Sequence, residues 1–179
     1  MNYVFLAGIG NSGPDHWQYR WCRRVDGVWI EHESWDRVER DTWVDELDGS
    51  LSRCAGPKIL IAHSLGCTLV AEWAAEYEDA SIEGAFLVAV PDVHGRNFPA
   101  DALGFGSPRY GPLPFRSVVV ASEDDPYGSL EHSAAVAERF GASLVNLGRK
   151  GHINADSGLG DWDEGWSLFQ DEFVMPAPV

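Results

Sequence analysis

The sequence predicts an α/β protein of three layers, with a parallel, roughly six-stranded sheet covered by helices on both faces. Three observations lead there. Short apolar runs alternate with amphipathic stretches along the chain. Those runs lack a clean every-second-residue alternation, as strands buried on both faces do. No internal repeat, low-complexity segment or domain boundary breaks the pattern, and 179 residues suit a single domain over 1–179.

The first strand is read over residues 3–7, ending at Gly8. A loop dense in turn formers follows, "GIGNSGPDHW". A helix is expected from Asp15, as its cap, to Arg24. A short strand follows over 28–31. Residues 40–52 read as a helix, because Trp43, Leu47 and Leu51 recur on one face.

After Gly56 and Pro57 comes a strand over 58–62. Residues 65–77 form the strongest helix pattern, with Leu65, Leu69, Trp73 and Tyr77 in one stripe. A strand over 84–90 is closed by Pro91. Residues 91–114 are rich in Pro and Gly and read as a long connection, of the kind that shapes binding sites. Strands over 116–122 and 143–147 and helices over 130–140 and 163–173 complete the pattern.

Composition narrows the functional classes. Hydrophobic residues make up 45% and charged residues 23%, which places the chain among globular proteins. No apolar run approaches the ~20 residues of a membrane span, and the N-terminus reads as a strand rather than a leader. The three cysteines, Cys22, Cys54 and Cys67, have no Cys-x-x-Cys spacing, which points to a reducing, cytoplasmic setting. A net charge of -15 disfavours nucleic acid and anionic membrane surfaces as partners. The histidines offer no metal-ligand spacing, so no metal site is expected. Gly8, Gly10 and Gly13 only superficially suggest dinucleotide binding.

The chemistry concentrates at strand ends, where parallel sheets bind ligands. "AHSLG" sets Ser64 between a strand and the best helix, close to the Gly-x-Ser-x-Gly pattern with Ala62 at its first glycine. Asp125, in "SEDDP", follows a later strand, and His152, in "KGHIN", follows the last one. The order Ser, Asp, His is that of an α/β-hydrolase triad. A serine hydroxyl is a weak nucleophile and needs a base. Histidine suits that task near neutral pH, and a carboxylate fixes its tautomer. Asp125 is preferred over Asp124, which is assigned to capping the turn.

An oxyanion needs donors. The backbone N–H of Leu65, at a helix start, and that of Ile9, with Gly10 as the alternative, are the candidates. Gly10, Asn11, His16 and Trp162 are expected to line the pocket. Trp17, Trp21, Trp43 and Trp73 are assigned to the core, His63 to packing and Cys67 to a buried position.

These segments resemble the small serine hydrolases related to retinoblastoma-binding protein 9, and its bacterial branch most closely. "AGIGNSGPDHW", "AHSLG", "PDV", "SEDDP" and "KGHINADSGLGDW" carry the likeness across nearly the whole chain. The resemblance implies a minimal α/β-hydrolase fold with little or no cap. It implies Ser64 as nucleophile, Asp125 as acid and His152 as base, acting without a cofactor on a small ester-type substrate. A protein-binding role is the alternative it implies; acyl transfer through the same triad is another reading.

Overall fold

The computed structural model describes residues 1–174. Eight strands occur in chain order: β1 (Asn2–Leu6), β2 (Val28–Trp29), β3 (Val38–Glu39), β4 (Lys58–His63), β5 (Ile82–Val88), β6 (Ala102–Leu103), β7 (Arg116–Ala121) and β8 (Ser143–Asn146). Among the described residues, five α-helices accompany them: α1 (Trp17–Val25), α2 (Arg40–Arg53), α3 (Leu65–Ala74), α4 (Leu130–Phe140) and α5 (Asp163–Phe173). Six strands make one sheet in the order β2-β1-β4-β5-β7-β8, and every pairing in it is parallel.

The absence of apolar-polar alternation has a direct cause: both faces of the sheet are covered. Val4, Leu6, Leu60, Ala62, Ala85 and Leu87 point to one face and pack with α2, α3 and α4. Phe5, Ile59, Ile61, Phe86, Val118 and Val120 point to the other and pack with α1 and α5. The second face is strongly aromatic: Trp17, Trp21, Trp162 and Phe169 are all buried there. Burying each large apolar side chain contributes about 1.5–3 kcal/mol, so two covered faces account for the strand composition.

The element boundaries differ from the sequence reading for local reasons. Helix α1 starts at Trp17, and its cap is His16, not Asp15; the His16 Nδ1 accepts the Gln18 N–H at 3.1 Å. Helix α3 stops at Ala74 because the next turn tightens, with Glu76 N donating to Trp73 O. Strand β5 ends at Val88 because Ala89 takes left-handed backbone at φ 57°.

The connection 91–114 is not free of structure. It carries β6, which pairs with β3 in a separate two-stranded parallel ladder. Arg109 is held by Glu72 of α3, and Tyr110 shares a hydrogen bond with Thr68. No helix among the described residues is long and apolar enough to cross a membrane.

Candidate active site

Ser64 sits between the last residue of β4 and the first of α3, at φ 55° and ψ −126°. This backbone is unfavourable for any residue with a Cβ and costs on the order of 1–3 kcal/mol. Two hydrogen bonds hold it: Ser64 N donates to Val88 O and Cys67 N to Ser64 O, each at 2.9 Å. The elbow also needs close approach by its neighbours. A Cβ on Gly66 would lie 2.4 Å from Leu6 O, so only glycine lets α3 start against β1.

Ala62 tolerates its methyl because it is ordinary strand. It lies in register between Leu6 and Leu87, and its side chain is fully buried with the apolar core. The strain falls on Ser64, two residues later, where the sheet does not constrain the chain.

His152 brings the other groups together. Its Nε2 lies 2.9 Å from Ser64 Oγ. Its Nδ1 lies 2.8 and 2.9 Å from the two Asp125 carboxylate oxygens. An ionised carboxylate only accepts, so the imidazole proton sits on Nδ1 and leaves Nε2 bare for the serine proton. Asp125 also accepts the Tyr127 N–H at 2.9 Å, which fixes its carboxylate.

Asp124 points elsewhere. It accepts from Gly151 N and from Ser122 Oγ, and Ser122 Oγ in turn accepts from Lys150 N. The two adjacent aspartates therefore divide the work: one meets the imidazole, the other pins the loop that carries it. Hydrogen bonds from Gly151 and Ser122, with Arg149 nearby, hold the Asp124 carboxyl below the usual range.

A cavity of about 290 Å³ opens over Ser64. Ile9, Leu65, Pro91, Phe98 and Pro99 give it an apolar side, and Asn11, His16, His63 and Asn154 a polar one. Among the described residues, the ionisable lining groups are histidines and Tyr127. Burial, and then the charge of His152, pushes His16 down to about 4. Burial also holds His63 well below its ordinary value, reinforced by His16 and His152. His16 and His63 are thus held neutral around neutral pH.

Among the described residues, the amides of Ile9 and Leu65 make no hydrogen bond, and both residues line the cavity. Two free N–H groups beside a serine can receive a developing oxyanion. The alternative donor, Gly10, is already used: its N–H donates to Trp35 O at 2.9 Å. Gly10 does not line the cavity, contrary to the sequence reading, whereas Asn11 and His16 do.

Trp162 is also a correction. It lies on the far face of the sheet, buried against Trp17 and Trp21, with ring centroids 4.8 and 5.4 Å away. Its left-handed backbone at φ 46° turns the indole inward over Gly165, where no Cβ would fit.

Three contributors escaped the sequence reading. His63 does more than pack: its Nε2–H donates to His152 O at 2.9 Å. Gln18, fully buried, donates to Leu6 O and Ile61 O and accepts from Ser12 Oγ, tying the glycine loop to β1 and β4. The Tyr127 ring lies 4.5 Å from that of His152. A glutamine within an aromatic helix segment is the one local signal that a buried polar role existed.

A family model for serine hydrolases matches residues 3–171. The chain belongs to the serine hydrolase family. Its likeness to the relatives of retinoblastoma-binding protein 9 is consistent with that membership. No curated protein matches the chain. Among solved structures, this serine hydrolase is similar to a YdeN-like hydrolase of Pectobacterium atrosepticum, at 29% identity and TM-score 0.84, covering 96% of this chain and 89% of that one. The ydeN gene product of B. subtilis shares the fold at 20% identity and TM-score 0.80, covering 98% and 100%. The type II thioesterase BorB from the borrelidin biosynthetic cluster shares it at 16% identity and TM-score 0.67, covering 96% and 91%. The six-stranded parallel sheet with flanking helices is the α/β-hydrolase architecture.

Proposed function

We propose that this serine hydrolase cleaves a small ester or thioester through an acyl-enzyme formed on Ser64. The observation that carries the reading is the unbroken chain Ser64 Oγ, His152 Nε2, His152 Nδ1, Asp125, with every step between 2.8 and 2.9 Å. His152 takes the Ser64 proton as Oγ attacks the carbonyl carbon. Asp125 keeps the imidazole oriented and stabilises the imidazolium. The Ile9 and Leu65 amides receive the oxyanion. Collapse expels the alkoxide or thiolate, which leaves with the proton from His152. Water, deprotonated by His152, then releases the acid and restores Ser64.

The substrate class follows from the cavity. At about 290 Å³ it lies at the lower end of ligand pockets. Among the described residues, its lining offers no lysine, arginine or carboxylate to a charged acyl group. A short, uncharged acyl chain fits both features.

A fluorophosphonate tests the reading directly. The wild-type protein is expected to label and Ser64→Ala to stay unlabelled. An unlabelled wild type, or equal labelling of both, would sink it. With para-nitrophenyl esters, kcat/KM is expected to fall by about tenfold or more once the acyl chain outgrows the cavity.

A further inference from the structure

We infer that His63 is a positioning residue: its imidazole holds the backbone that presents His152, with the indole of Trp17 as the second arm of the same brace. The inference rests on the reading of Ser64 and His152 as nucleophile and base.

The segment after His152 is strained. Ile153 has φ 48°, the left-handed region that a β-branched side chain strongly disfavours, and it is fully buried. Such a conformation persists only where the surroundings over-determine it. Here the two peptide carbonyls that flank the φ and ψ of Ile153 are each fixed by a buried donor. His152 O accepts from His63 Nε2 at 2.9 Å, and Ile153 O accepts from Trp17 Nε1 at 2.7 Å. Fixing both carbonyls fixes the dihedral pair between them, and with it the direction in which the chain leaves His152.

The two donors come from different elements, β4 and α1. His63 directly precedes Ser64, so one bond ties the serine elbow to the loop that carries the base. The 2.9 Å contact between Ser64 Oγ and His152 Nε2 depends on both backbones. The carbonyl only accepts, so His63 carries its proton on Nε2. Burial keeps the ring neutral, which leaves it with that single donor.

Three substitutions at His63 separate this role from packing. Gln places an amide nitrogen where Nε2 stood; Asn places one near Nδ1; Leu supplies bulk without a donor. The readouts are kcat and KM for para-nitrophenyl butyrate and the rate of fluorophosphonate labelling. His63→Leu and His63→Asn are expected to lower kcat about 10- to 100-fold, with KM changed less than about threefold, because misplacement of about 1 Å has that effect on rate. His63→Gln is expected to recover most of the loss.

Wild-type kcat in His63→Leu would overturn the inference. So would rescue by Asn and not Gln, which would move the role to the cavity side of the ring. Equal losses in all three folded variants would overturn it too. Should the His63 variants fail to fold, Trp17→Phe decides, since it keeps a ring and deletes the N–H: a fall in kcat supports the brace, and full kcat overturns it. A wild type that neither labels nor turns over ester removes the reading of Ser64 itself, and the inference falls with it.

Discussion

A side chain on Gly8 would collide with Ser64. A Cβ there would lie 2.9 Å from Ser64 Cβ and 3.3 Å from both Ser64 Oγ and Leu65 N. Glycine is required at this position by space rather than by backbone conformation. Gly8→Ala is therefore expected to fill the space between the serine and the free amides. The loss in kcat should approach the roughly 10²–10³ of a deleted oxyanion donor, with the thermal midpoint changed by only a few degrees. Steady-state kinetics beside thermal unfolding checks this; a folded Gly8→Ala with full kcat would refute it.

The adjacent aspartates should separate cleanly. Asp125→Asn can donate to the imidazole and so favours the wrong tautomer, with an expected fall in kcat of about 10⁴-fold. Asp124→Asn keeps an acceptor for Gly151 N and should cost far less in rate. Its effect belongs to pH. The Asp124 carboxyl is depressed, so its contribution to stability is present above the unfolded carboxylate range and is lost as pH falls through the folded value. Acid unfolding of the wild type and of Asp124→Asn should differ only on that limb.

His16 makes stability depend on pH in a second window. Its value falls from 6.5 to about 4 on folding, so between those values the unfolded chain binds more protons. The stabilisation is complete above pH 6.5 and is lost progressively toward pH 4, and His63 acts in the same direction. The full effect of His16 is about 3 kcal/mol. His16→Asn retains a capping acceptor for α1 and removes the titration. Urea unfolding at pH 7 and pH 5 should show a smaller loss in the variant; equal losses would contradict the assignment.

Glu72 anchors the connection 91–114. Its carboxylate, nearly buried, accepts from Arg40 Nε at 2.8 Å, Arg109 N at 2.8 Å and Arg109 Nε at 3.1 Å. Both arginines also pair with Glu76. Glu72→Ala leaves the largely buried Arg40 short of a partner and is expected to cost about 3 kcal/mol or more. It should also open residues 104–113 to limited proteolysis. Glu76→Gln, at the more exposed end, should do much less of either.

Much of this was legible along the chain. Apolar runs located β1, β4, β5 and β7, because a strand buried on both faces cannot hide its composition; the edge strands β2 and β8 are more exposed and were read from the alternation of elements around them. Ser64, Asp125 and His152 were legible because each follows such a run, where a parallel sheet exposes its loops. The pair β3 and β6 was not: two residues are too few to show a period. Trp162 was misplaced because nearness in sequence to His152 does not say which face of the sheet a side chain meets. The role of His63 was hidden because its partner is a backbone carbonyl 89 residues away.

The sequence by itself determined the alternation of strand and helix, the apolar strands and the chemical order serine, aspartate, histidine. These are local properties: burial and turn formation leave their mark on neighbouring residues. Only the tertiary structure decided that β1 lies beside β4, so that Gly8 and Ile9 meet Ser64. It alone decided which amides stay free and which side chains brace His152. Those outcomes depend on strand order and on donors paired with carbonyls far along the chain, and residue patterns record how deeply a group is buried but not against what.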